Sequence, residues 1–165
     1  MSNARLALPC LPDAVSARVV TQQIVQFAAF VRDGQADRPT VEAFVASLPV
    51  AGLSTAILIV NNIRDRESDA EAGKQTLAVM LGYTWSRVEW LAMVGMAYVV
   101  PVLFALDAEF GLLALLPLLT LPLAVLVGRT VLTRTDGEAL NPALERTGQL
   151  LAVHSALFAT GLALT

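Results

Sequence analysis

The stretch Asn61–Gly82, NNIRDRESDAEAGKQTLAVMLG, opens with a densely charged run set between strongly apolar blocks. Asp65 and Asp69 are four residues apart, and Asn61 lies four residues before the first. If the apolar helix that precedes them runs on through this stretch, Asn61, Asp65 and Asp69 share one face, one turn apart. That is a row of oxygen ligands at the mouth of a hydrophobic bundle, with Arg64, Arg66 and Lys74 close by. Carboxylates among cations suit a magnesium ion that carries a phosphate-rich ligand. Magnesium takes one or two carboxylates and leaves its other positions to phosphates and water. The blander alternative is a solvated loop of mixed charge. The concentration of charge at the end of an apolar span favours the functional reading.

The composition supplies the setting. Of 165 residues, 56% are hydrophobic and 15% charged, whereas a soluble domain carries about a quarter charged residues. Mean hydropathy is +0.65. This balance describes a membrane protein. The net charge of −3 leaves no basic footprint for nucleic acid. Cys10 is the sole cysteine and cannot form an internal disulfide, so redox compartment is not legible. Met1 to Asp13 lacks a secretory signal pattern, and insertion is expected to rely on the spans themselves.

Working outward, Val41–Val60 runs into the charged stretch with only Glu42 charged, at its start, and has the length of a crossing. Thr40 is placed to cap it. Pro49 and Gly52 fall mid-span, where membrane helices tolerate them. Downstream, Trp85 and Trp90 are placed as an interfacial belt ahead of the apolar run Leu91–Leu106. Asp107–Glu109 reads as a tight link and Phe110–Val127 as another crossing. Arg129–Arg146 reads as a polar connection with a turn at Asn141-Pro142, and Thr147–Leu164 as the last crossing. Upstream, Val15–Val31 is a weaker span interrupted by Arg18, Gln22, Gln23 and Gln26; an interfacial amphipathic helix is its alternative. Met1 to Ala14 reads as a loose lead-in. The fold expected is an all-α polytopic membrane helix bundle of about five transmembrane helices. The Lys- and Arg-rich loops are Arg64–Trp90 and Arg129–Arg146, two crossings apart, which puts the aspartate stretch on the cytoplasmic side.

Several other residues take structural readings. His154, Gln149 and Ser155 read as bundle hydrogen-bonders, and Tyr83 as an interface anchor. The glutamines of the first span either line a pocket or join helices. No nucleophile–base pair, zinc spacing or phosphate-binding glycine loop is present. The Asp-Gly-x-x-Ala-Arg signature of membrane phosphatidyltransferases is also missing.

The run Asn61-Asn62-Ile63-Arg64-Asp65, then Asp69, then Gly73-Lys74-Gln75-Thr76-Leu77-Ala78-Val79 and Leu81-Gly82 resembles the second aspartate-rich motif of the UbiA-type intramembrane prenyltransferases. It is most similar to the branch that prenylates 1,4-dihydroxy-2-naphthoate on the way to menaquinone. Ala46-Ser47-Leu48-Pro49 and Ala139-Leu140-Asn141-Pro142-Ala143-Leu144 extend the likeness, which covers roughly residues 41–165. The resemblance implies a nine-helix bundle in the cell inner (cytoplasmic) membrane, of which residues 15–165 form a C-terminal part. It implies that Mg2+ is held on a polyprenyl diphosphate by two facing aspartate motifs, and that an aromatic acceptor attacks the allylic centre as the diphosphate leaves. By position, Asp65 and Asp69 would be metal ligands, and Asn61, Asn62, Arg64 and Lys74 would hold the diphosphate. Metal and cations would neutralise charge growing on the leaving group, and the apolar bundle would keep water from the cation.

The departures from the family pattern carry equal weight. Five spans are expected rather than nine, and the first aspartate motif is absent. Asp33 and Asp37 share the spacing of four but lack the Asn-Asp lead, and Gly34 and Pro39 place them in a loop. The chain therefore reads as an incomplete transferase, with little activity alone and a separate N-terminal half as a candidate partner. A non-catalytic remnant or partner subunit, or another metal-dependent membrane transferase, are the competing readings.

Overall fold

A computed structural model of the protein describes residues 38–164. The expected first span, with Arg18, Gln22, Gln23 and Gln26, and the Asp33/Asp37 pair lie outside the described residues. The chain divides into two compact units, Met1–Phe44 and Val45–Thr165, and the account below concerns the second. The regular elements are helical throughout: α1 (Arg38–Arg64), α2 (Arg66–Glu71), α3 (Leu77–Leu106), a 3-10 segment (Leu112–Thr120), α4 (Leu121–Thr133) and α5 (Gly137–Ala163). Three stretches are long and apolar enough to cross a membrane: Thr40–Arg64, Leu77–Leu106 and Leu112–Thr133. The all-α membrane bundle read from composition is the architecture observed. The last expected crossing falls within α5, which has the length to span but begins with the polar turns around Glu138, Glu145 and Arg146.

Buried positions recur at helical spacing. On α1 they are Leu53, Ala56, Ile59, Val60 and Ile63; on α3, Trp90, Val94, Ala97, Val100 and Phe104; on α5, Leu140, Ala143, Thr147, Leu150, His154 and Phe158. Each set is one stripe of a 3.6-residue helix. In a bilayer the lipid tails are as apolar as leucine, so helix association rests on close packing, and small residues mark the approaches. Gly52 is one such point, because a Cβ there would lie 2.8 Å from the Met93 carbonyl oxygen of α3. Gly161 is tighter still, since a Cβ would fall 2.3 Å from the Leu113 carbonyl oxygen. Near that end, Phe104 meets Phe110 and Phe158 edge-on, at 4.8 and 5.6 Å between ring centres.

Three local expectations are corrected. Trp90 is not an interfacial anchor: it is 2% exposed and packs against Gly128 of α4, where a glycine lets the indole ring approach, while Trp85 stays 63% exposed. The polar connection shrinks to residues 134–136, because α4 runs to Thr133 and Asp136 caps α5 by accepting from the Ala139 N–H at 2.9 Å. Asn141-Pro142 is therefore helical rather than a turn. The crossing after Asp107 opens as a 3-10 segment containing Pro117, whose missing N–H cannot serve an α-helical ladder. Pro122 then occupies the first turn of α4, where no such donor is needed.

Candidate functional site

The site is built where α1 ends. The helical hydrogen bonds persist past its last residue: Asp65 N–H donates to the Asn61 carbonyl at 3.0 Å and Asp69 N–H to the Asp65 carbonyl at 2.8 Å. The backbone nevertheless bends at Asp65, with φ −93° and ψ 4°, in the sparsely populated bridge region. Asn61, Asp65 and Asp69 thus keep their four-residue stagger, but through a bend rather than a straight helix.

Arg64 gathers the upstream half. Its Nε donates to Asp65 Oδ1 and its Nη2 to Asp65 Oδ2, both at 2.7 Å, a fork-on-carboxylate pairing. Nη2 also donates to Asn61 Oδ1 at 2.9 Å, and Nη1 to Asn141 Oδ1 of α5 at 3.3 Å. The fork holds the Asp65 carboxyl below the usual carboxylate range, chiefly through its hydrogen bonds and then through its charge. Asn62 makes no side-chain hydrogen bond among the described residues.

The downstream half follows from one glycine. Gly73 adopts φ +72°, a left-handed conformation that ends α2. Its N–H donates to the Ala70 carbonyl at 3.1 Å, and the Lys74 N–H to the Asp69 carbonyl at 2.8 Å. This is the paired hydrogen-bond pattern of a Schellman turn. The turn folds Lys74 back onto the helix it follows, and its Nζ donates to Asp69 Oδ1 at 2.7 Å. Asp69 is buried at 6% exposure, whereas the Lys74 side chain is 65% exposed. The hydrogen bond and charge of Asp69 raise the Lys74 ammonium above its ordinary value.

Thr76 then caps α3 by accepting from the Val79 N–H at 3.3 Å, and Gly82, at φ +77°, kinks that helix. Arg66 does not join the carboxylates. It donates to the Ala78 carbonyl at 2.9 Å and stacks over Tyr83 at 4.7 Å, tying α2 to α3. Tyr83, expected as an interface anchor, serves as that platform, with Arg87 5.6 Å from its ring centre.

The donor set has the chemistry of a hard divalent cation: two carboxylates and two asparagine amides. Each carboxylate is also held by a cation from its own strip of sequence. Among the described residues no group of three His, Cys, Asp or Glu side chains comes together. The Arg64–Asn141 contact has no signal in the sequence, where Asn141-Pro142 reads as a turn; only the tertiary arrangement brings the start of α5 to the end of α1.

A helical membrane bundle with paired carboxylates and cations at a helix end is the class of protein this geometry defines. The sequence model of the UbiA prenyltransferase family matches residues 11–155, and the chain belongs to that family. It is 38% identical over 113 residues to the 1,4-dihydroxy-2-naphthoate octaprenyltransferase of Escherichia coli K12, covering 68% of this chain and 37% of that protein. The Haemophilus influenzae protein of the same name is 33% identical over 118 residues, covering 70% of this chain and 38% of that protein. The human UbiA prenyltransferase domain-containing protein 1 is 37% identical over 106 residues, covering 64% and 30%. The chain thus spans less than two-fifths of the length of these relatives.

Proposed function

We propose that this chain carries the second carboxylate motif of a prenyltransferase that moves a polyprenyl group from polyprenyl diphosphate to an aromatic acceptor. The acceptor we assign is 1,4-dihydroxy-2-naphthoate, in menaquinone biosynthesis, by analogy with the naphthoate octaprenyltransferases above. The observation that carries the reading is the charge pairing itself, Arg64 on Asp65 and Lys74 on Asp69. In this reading Asp65 and Asp69 hold Mg2+, while Asn61, Asn62, Arg64 and Lys74 hold the diphosphate. A bare divalent ion would meet two carboxylates already neutralised. A diphosphate that accompanies the ion gives Arg64 and Lys74 new oxygens to pair with and frees the carboxylates, so the two ligands bind together or not at all. When bound, the metal would polarise the diphosphate and lower the cost of its departure. Arg64 and Lys74 would neutralise charge as it grows on the leaving oxygens. The exposed, flexible Lys74 is suited to follow that charge, and Arg64, fixed by the Asn61 and Asn141 amides, to orient it. We assign the motif to the cytoplasmic face on the Lys and Arg content of residues 64–90 and 129–146, the side where magnesium and diphosphate metabolites are found.

The test is binding of geranyl diphosphate to the purified chain in detergent, with and without Mg2+. Mg2+-dependent binding that is lost in Asp65→Ala and in Asp69→Ala is expected. Binding that is indifferent to Mg2+ and to both substitutions defeats the proposal and leaves the non-catalytic reading. The chain supplies one carboxylate motif, so turnover with dihydroxynaphthoate is expected to be slight by itself and to rise when a polypeptide bearing an Asn-Asp motif is supplied.

A further inference from the structure

Between α3 and α4 lies an apolar pocket of about 430 Å³, within the ~300–1,000 Å³ range of small-molecule sites. Its floor is the contact of Trp90 with Gly128, and Val94, Tyr98, Ala124 and Val125 extend it. None of the carboxylate-motif residues lines it. Its walls run along α4 from Leu121 to Thr133, roughly 18 Å of helix axis at 1.5 Å per residue. That matches one leaflet of a hydrocarbon core about 30 Å thick. The two ends differ in chemistry. The deep end, at Leu121 and Tyr98, has its phenol occupied by the Thr120 hydroxyl at 2.7 Å. The other end carries Arg129, in the last turns of α4 where the crossing Leu112–Thr133 finishes.

Arg129 is exposed, and its guanidinium has no hydrogen bond or ion pair among the described residues. Its neighbours are committed elsewhere. Thr133 donates to the Arg129 carbonyl at 2.6 Å, and Arg87 donates to the carbonyls of Val131 and Arg134 at 3.0 and 2.9 Å. A dry slot one leaflet deep, ending in one uncommitted cation at the membrane boundary, matches an amphiphile with an apolar chain and an anionic head.

We propose that this groove seats one acyl chain of an anionic phospholipid, with its phosphate on Arg129. The site is separate from the diphosphate site and does not rest on the prenyltransferase reading. Charge complementarity at Arg129 selects the anionic head, and the fit of groove length to leaflet depth selects a bilayer lipid.

Trp90 is a built-in reporter, because Trp85 is the only other tryptophan and is 63% exposed. In Trp85→Phe protein reconstituted into nanodiscs, phosphatidylglycerol or phosphatidylcholine with brominated acyl chains is supplied at equal mole fraction. Trp90 fluorescence is expected to be quenched at least twofold more by the brominated phosphatidylglycerol. Arg129→Gln should erase that difference, Arg129→Lys should keep it, and Val125→Phe, which fills the groove, should cut quenching by both lipids. Absence of quenching, or equal quenching by the two lipids, overturns the proposal. Relief of quenching by added unbrominated polyprenyl diphosphate also overturns it, in favour of a substrate tail in the groove.

Discussion

The motif at the end of α1 and the ring nitrogens in the middle of the bundle differ in how their polar atoms are matched. At the motif, both carboxylates and the Asn61 amide are matched to cations within the fourteen residues from Asn61 to Lys74. In the bundle, the Trp90 indole nitrogen, both His154 ring nitrogens and the Ser155 hydroxyl are buried with no hydrogen-bond partner among the described residues. His154 meets the Tyr98 ring edge-on at 5.2 Å instead. The contrast shows which polarity the local chain arranges for itself. Charges at a water boundary are satisfied by near neighbours through a helix bend and a Schellman turn. On the buried stripes a hydroxyl can reach back one turn, as Thr147 does to the Ala143 carbonyl at 2.7 Å, whereas the Trp90 indole and the His154 ring depend on what the facing helix offers.

The largest expected effect breaks the motif side of this contrast. In the proposed reading Asp65→Ala removes one of the two carboxylates that hold the metal, a charged contact worth about 1.5–3 kcal/mol. Mg2+-dependent diphosphate binding should fall by about tenfold to a hundredfold, read by titration calorimetry. An affinity within about twofold of wild type would mean the carboxylate serves only the loop.

Next in size is steric. Gly161→Ala should destabilise the bundle by about 1–3 kcal/mol, since the methyl meets backbone that cannot step aside. Gly137→Ala is the control: there a Cβ meets Arg64 at an ordinary 3.5 Å. Unfolding in detergent should separate the two variants, and equal midpoints would show that the α5 end near Leu113 is slack.

His154→Leu is expected to leave stability unchanged or raise it by up to ~1 kcal/mol, because the buried imidazole has only a poorly aligned approach to the Ala97 backbone, and an ill-satisfied buried polar group costs free energy. A clear loss in the same unfolding assay would show that the approach of the imidazole to the Ala97 backbone is a working hydrogen bond.

The smallest expected effect is with pH. Asp65 has its folded pKa depressed, so its stabilisation is present above the ordinary carboxylate value of about 3.9 and is lost as pH falls through the lower folded one. Lys74 has its folded pKa raised, so its stabilisation is complete below about 10.4 and is lost as pH rises through the higher folded value. Between about pH 5 and 9 neither Asp65 nor Lys74 should contribute an inflection to a stability–pH curve. A step in that window, lost in Asp65→Asn or Lys74→Met, would contradict the pairing.

Much of this was legible in the residues. The helical class follows from apolar runs of crossing length, and the candidate site from the Asn61–Asp65–Asp69 stagger. Gly73-Lys74 belonged to the motif by resemblance, and the fold supplies its cause: a left-handed glycine turns the lysine back onto Asp69. The boundaries were less legible. Asn141-Pro142 looks like a turn in sequence, but the cap at Asp136 draws it into α5.

The sequence by itself determined what is local: where apolar helices run, and which charges a bend can bring into register with their neighbours. Only the tertiary structure decided that Trp90 is buried against Gly128 rather than set in the interface, that Asn141 reaches Arg64, and that Arg129 stands uncommitted at the end of an apolar groove. The physical reason is range. Capping, helix bending and near-neighbour ion pairs span a few residues, while burial and groove formation depend on which helix faces which, and the period of a single helix does not encode its partner.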